Sequence, residues 1–227
     1  MKSGVSAIVP AYNEEKKIKG VLKALTRSSY VNEIICINDG STDKTLKILQ
    51  STPEITIINL KRNRGKGFAV ARGIEKAKGE VILLIDADIR GLNDKHIAQL
   101  VHTLQSGKYD FAIGYRSSRV EATVGVPLSG ERAYFKKDLL PYLKVLEKKG
   151  LGALELYLNY QFRDKRKKII QLKGVYSHSK HKKYSSYRLA TKLYAAETYY
   201  ILNEFIRRRN HLSYFLHSYL AYIYLRS

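Results

Sequence analysis

Over the first 115 residues, short segments apolar from end to end alternate with segments whose apolar residues recur at helical spacing. That alternation admits little besides a mainly parallel, Rossmann-like α/β sheet covered by helices on both faces. VSAIVPAY (5–12), EIICIN (33–38), ITIINL (55–60), EVILLIDAD (80–88) and YDFAIGY (109–115) read as strands. Between the first two, Asn13 reads as an N-cap, with Glu14 and Glu15 in the first turn of a helix running to about Thr26. The next helices carry Leu46, Ile48 and Leu49, then Val70, Ala71, Ile74 and Ala77, and the last runs from about Asn93 to Gln105. Residues 116–130 read as a loop, 131–148 and 152–163 as helices, and 167–179 as a strand. A basic loop follows and the remainder reads as helical.

In open sheets of this kind, ligands bind outside the carboxyl ends of the strands. Three polar clusters fall there: Tyr12-Asn13-Glu14, Asp39-Gly40-Ser41 and Asp86-Ala87-Asp88. Asp86 and Asp88, two residues apart after a buried strand, suit a divalent cation held against a diphosphate, since Mg²⁺ and Mn²⁺ take oxygen ligands and share them with phosphates; they equally suit a capped turn. Asp39 can accept from a base N–H or a ribose hydroxyl, or cap the turn it opens. In NRGKG (63–67), two glycines around Lys66 let the backbone approach a ligand and offer a phosphate a point charge, or form an ordinary turn. The segment is neither a P-loop nor a dinucleotide fingerprint.

Composition narrows the class. A chain of 227 residues with 44% hydrophobic content can bury a core, and one cysteine excludes an intramolecular disulfide and a Cys-rich zinc site. The purest apolar run, Val81–Ile85, is far short of a membrane span, and Met1 leads straight into a strand without a signal-peptide pattern, so a cytoplasmic location is expected. The net charge is +21 and uneven: residues 1–128 carry +7, while residues 129–227 carry +14 and 14 of the 18 tyrosines. Such asymmetry suits a phosphorylated substrate, a polyanion or an anionic lipid surface, or else a solvated face.

PAYNEE (10–15), INDGSTD (37–43), NRGKGFAVARG (63–73) and LLIDAD (83–88) occur in the order and spacing of a family 2 glycosyltransferase. Over residues 4–118 the chain resembles the branch containing polyprenyl-phosphate sugar transferases and, in part, glucosyl-3-phosphoglycerate synthases. The resemblance implies the A-type glycosyltransferase fold, a nucleotide-diphosphate sugar donor and Mg²⁺ or Mn²⁺. It implies that Pro10, Tyr12 and Glu14 line the nucleoside pocket, that Asp39 contacts the base (commonly uracil), and that Lys66 lies near the nucleotide or diphosphate. Asp86 would touch nucleotide or metal, and Asp88 would be the firmer metal ligand. LSGERA (128–133) is similar to the acceptor segment of these transferases, LGALE (151–155) to a Gly-rich segment ending in glutamate, and GVYSH (174–178) to a segment whose histidine completes the metal site. His178 is thereby a candidate ligand, or a surface histidine of a basic stretch. The implied organisation is a nucleotide-sugar-binding half (1–118), an acceptor-side half (119–185) and a helical C-terminal extension (186–227).

Many family 2 enzymes that act on sugar hydroxyls carry an ED pair after the D-x-D strand as general base; residues 90–150 contain none. A hydroxyl nucleophile must lose a proton near the transition state, whereas a phosphate is already ionised. The expectation is therefore a glycosyltransferase with a phosphate-bearing or lipid-linked acceptor, or a base supplied by Glu131 or Glu155. RDKRKK (163–168), HSKHKK (178–183) and RRR (207–209) suit acceptor phosphate or anionic head groups, and the Tyr-rich stretch 212–225 suits a membrane interface on the cytoplasmic face or a packed helix. The competing class, a basic nucleic-acid binder without catalysis, accounts for the charge and the tyrosines but leaves the strand-end motifs unexplained and matches no recognised nucleic-acid motif.

Overall fold

The computed structural model describes residues 4–116, 128–150 and 153–177. Its first part alternates β1 (Val5–Ala11), α1 (Ile18–Thr26), β2 (Glu33–Asn38), α2 (Thr45–Gln50), β3 (Thr56–Asn59), α3 (Lys66–Lys76), β4 (Val81–Leu84), α4 (Asp94–Gln105) and β5 (Phe111–Arg116). Next come β6 (Glu131–Phe135), the short helices α5 (Lys136–Leu139) and α6 (Leu143–Leu146), then α7 (Ala153–Gln161) and β7 (Lys167–Leu172). The seven strands form one sheet in the order β3-β2-β1-β4-β6-β5-β7. All neighbouring pairs are parallel except those made by β6, which runs antiparallel to both β4 and β5. This is the architecture the alternation predicts, and β6 and β7 join the same sheet as the first five strands.

The two-residue period of each strand divides the core between the faces. In β1, Val5, Ala7, Val9 and Ala11 pack with Ile18, Val21, Leu22 and Leu25 of α1 on one face, where Ile97, Leu100 and Val101 of α4 also lie. On the other face, Ile8, Ile35 and Ile37 meet Val70 and Ile74 of α3, and Leu154 and Leu158 of α7. Burying a side chain of this size contributes about 1.5–3 kcal/mol, so each helix is held chiefly by its apolar stripe.

Three expectations change. Residues 131–135 form a strand where a helix from 131 to 148 is expected. The period-2 pattern of ERAYF is disguised because two of its buried side chains, Glu131 and Arg132, are charged. Asn13 does not cap α1, which starts at Ile18. It adopts φ 55°, a left-handed conformation Asn tolerates, and its Oδ1 accepts from the Thr42 amide at 2.9 Å, tying β1 to the turn after β2. The strand expected over 167–179 ends at Leu172, and a turn at Gly174 leads to an isolated antiparallel bridge between Tyr176 and Arg90. By contrast, α4 occupies the expected span, and Asn93 caps it in a reciprocal capping box with His96. His178 and the 186–227 extension lie outside the described residues.

Candidate active site

The carboxyl ends of β1, β2 and β4 place the three polar clusters along one edge of the sheet, because these strands are adjacent and parallel. At the end of β1, Tyr12 is 38% exposed while Glu14 is buried, its amide donating to Thr45 Oγ1 at 2.8 Å. At the end of β2, Asp39 is buried and both its oxygens are engaged: Oδ1 accepts from the Arg64 amide at 2.7 Å and Oδ2 from the Gly65 amide at 2.9 Å. Burial raises the Asp39 pKa above the ordinary carboxylate value, against the lowering effect of the two amides. A carboxylate oxygen can accept more than one hydrogen bond, so Asp39 both pins the Asn63–Gly65 loop and keeps acceptor capacity.

That loop delivers Lys66, the first residue of α3. Its Nζ lies 2.6 Å from Asp86 Oδ1 and 2.6 Å from Glu155 Oε1 in the first turn of α7. Burial would lower the lysine pKa, but the two carboxylates outweigh it and hold the ammonium charged. Burial likewise works against an ionised Asp86, and Lys66 and Arg116 overcome it, so its pKa falls below the ordinary value. Pro10, Lys66, Asp86, Gly130, Arg132 and Glu155 line a pocket at this junction, with apolar side chains of β4, α3 and α7 as its floor.

Arg116, at the end of β5, links this cluster to β6: one terminal nitrogen is 3.5 Å from Asp86 Oδ2, and Nε is 3.5 Å from Glu131 Oε2. It also bonds the Ser177 hydroxyl. Glu131 is completely buried, and neither of its carboxyl oxygens has a hydrogen-bond partner among the described residues. Burial, with a contribution from the Asp86 carboxylate, pushes its pKa up to about 7 despite Arg116. Arg132 is equally buried but fully engaged, with Ser129 O at 2.6 Å, Asn159 Oδ1 at 2.7 Å and the Tyr134 hydroxyl at 3.0 Å.

Asp88 stands apart, a quarter exposed, its carboxylate 3.8 Å from Lys17 Nζ. Its oxygen chemistry and partial exposure fit a hard divalent cation. Among the described residues there is no cluster of three or more metal-ligating side chains; Mg²⁺ commonly completes its shell with substrate phosphate and water.

The structure thus joins Lys66, Asp86 and Glu155 directly, and Glu131 through Arg116, while Asp39 reaches them through the Arg64–Lys66 backbone and Asp88 faces Lys17. Arg116, Arg132 and Lys17 escaped the sequence reading. Arg116 obeys the same strand-end rule as the three clusters. Arg132 sits on a strand read as a helix. Lys17 looks like half of a solvated Lys16-Lys17 pair.

With this geometry in hand, the comparisons are consistent. The model of glycosyl transferase family 2 matches residues 6–180, and the chain belongs to that family. An uncharacterised glycosyltransferase of Synechocystis is 42% identical over 123 residues, covering 51% of this chain and 38% of that protein. A dolichyl-phosphate beta-glucosyltransferase of Dictyostelium discoideum is 32% identical over 155 residues, covering 60% of this chain and 46% of its own length. The chain therefore spans less than half the length of either relative. Glucosyl-3-phosphoglycerate synthase from Mycobacterium tuberculosis, solved with Mn²⁺, UDP-glucose and glycerol 3-phosphate, superposes with a TM-score of 0.72 at 18% identity, covering 91% of this chain and 80% of that one. That likeness establishes the A-type glycosyltransferase fold. No helix among the described residues is long and apolar enough to cross a membrane.

Proposed function

We propose that this protein transfers a sugar from a UDP-sugar to a phosphate-bearing or lipid-linked acceptor, working at the cytoplasmic face of a membrane when the acceptor is a lipid. The carrying observation is the continuous path from Asp39 through the Arg64–Gly65 amides to Lys66 and Asp86, at the carboxyl ends of β2 and β4 in a family 2 chain. Asp39 accepts from the uracil N3–H with its spare lone pairs. The exposed Tyr12 ring, with Pro10 and Glu14, walls the nucleoside side.

Asp88 would hold Mg²⁺ or Mn²⁺, with His178, outside the described residues, as the further candidate ligand, and the cation would supply positive charge to neutralise the departing diphosphate. Asp86 orients Lys66, and Lys66 meets charge that develops on the leaving group as the anomeric bond breaks. Glu155 shares Lys66 and fixes its direction.

The acceptor assignment follows from the same cluster. A neutral hydroxyl needs an accessible base. Glu131 is fully buried and off the pocket wall, and Glu155 spends one oxygen on Lys66. A phosphate nucleophile needs neither as a base, and the relative acting on dolichyl phosphate supports it. The +14 charge after residue 128 favours such an acceptor over a neutral sugar. A thermal-shift screen of UDP-, GDP- and dTDP-sugars with and without Mn²⁺ tests the donor: UDP-sugars with Mn²⁺ should give the largest stabilisation. A larger shift with another nucleotide would overturn the uridine assignment.

A further inference from the structure

Lys17 is a buried cation to which the proposed function gives no role. Its side chain is only 6% exposed, yet its ammonium has no hydrogen-bond acceptor among the described residues. The nearest anions are Glu14 Oε2 and Asp88 Oδ2, each 3.8 Å away, close enough for attraction but too far for a hydrogen bond. The backbone explains the placement. The Lys17 amide closes a turn on the Glu14 carbonyl at 3.0 Å, which directs Lys16 outward and Lys17 inward beside Asp88.

A buried ammonium without hydrogen-bond acceptors is costly, and a ligand whose oxygens accept from it offsets that cost. Resting on the assignment of Asp88 as the cation-holding carboxylate, we propose that Lys17 is a diphosphate-binding residue that makes the Asp88 site take its divalent cation together with a nucleoside diphosphate rather than alone. An ammonium within 4 Å of Asp88 repels a bare divalent cation bound there. A diphosphate reverses the sign: its oxygens accept from Lys17 and bind the cation, so each positive group favours the ligand that the other needs. The coupling is reciprocal, as any linkage between two binding events must be.

The test measures Mn²⁺ binding by electron paramagnetic resonance and UDP and inorganic pyrophosphate binding by calorimetry, on the whole chain. Wild type should bind Mn²⁺ weakly alone and more tightly with UDP. Lys17→Met should bind Mn²⁺ alone about tenfold tighter, as expected for removing a like charge at this range, and bind UDP and pyrophosphate more weakly. Lys17→Arg should retain the coupling. Should Lys17→Met not fold, Lys17→Gln carries the same expectation. Unchanged or weaker Mn²⁺ binding in the neutral variant, or an unchanged gain from UDP, overturns the proposal while leaving the donor site standing. Wild type that binds no UDP at any Mn²⁺ concentration overturns the donor site itself, and the role of Lys17 with it.

Discussion

Gly130 packs against Asp86 so closely that a Cβ on the glycine would lie 2.2 Å from the aspartate Oδ2. The carboxylate cannot swing clear without leaving Lys66 at 2.6 Å and Arg116 at 3.5 Å. Gly130 thereby gives Asp86 its room and holds β6 against the end of β4.

Gly130→Ala should therefore displace Asp86 and break its pair with Lys66. We expect a loss of about 1–3 kcal/mol in urea-unfolding stability, typical of overpacking, and a drop in UDP affinity measured calorimetrically. Wild-type stability and UDP affinity in this variant would show that the cluster does not depend on the close approach.

Asp39→Asn should weaken the Asn63–Gly65 loop, because an amide can present only one acceptor oxygen to the two backbone N–H groups at 2.7 and 2.9 Å. Affinity for UDP should fall by about 1–3 kcal/mol, the range for leaving a buried donor unpaired. Unaltered calorimetric affinity would remove Asp39 from the nucleoside site.

Glu131 gives stability a pH dependence of known sign. Its folded pKa of about 7 lies above the ordinary glutamate value of 4.5, so the folded state binds the proton more tightly. Its contribution is fully present below pH 4.5 and is lost as pH rises towards 7. Glu131→Gln removes the ionisation, so the variant should gain stability relative to wild type between pH 5 and pH 8. Denaturant titrations at the two ends of that window measure the change. A constant difference would mean that Glu131 ionises as readily in the fold as in the unfolded chain.

Asp88→Ala should abolish Mn²⁺-stimulated turnover while the chain still folds, with a lower melting temperature because the buried Lys17 ammonium loses one of the two carboxylates 3.8 Å from it. Full turnover in excess Mn²⁺ or Mg²⁺ would exclude it from the reaction.

The α/β layering and the strand-end clusters were legible in the sequence because the apolar period is strong there. EIICIN forms β2 over the expected residues, and LLIDAD ends a fully buried strand. β6 was not legible: Glu131 and Arg132 are buried charges, and no local pattern announces that Arg116, Ser129 and Asn159 will meet them. The same holds for Lys17, which differs from Lys16 only in the direction the Glu14 turn gives it. Glu155 was singled out as a possible base, but its pairing with Lys66, 89 residues earlier in the chain, is a tertiary relationship. Local spacing does not carry pairings of that kind.

The most direct measurement of the central claim is transfer of radiolabelled glucose from UDP-glucose, in Mn²⁺, to detergent-dispersed polyprenyl phosphate, to a phosphorylated small acid and to a neutral sugar, each in parallel. We expect product with a phosphate-bearing acceptor, little with the neutral sugar, and none from Asp88→Ala. Efficient transfer to the neutral sugar, with no gain from either phosphorylated acceptor, would contradict the phosphate-acceptor assignment and direct attention to Glu155 as a base.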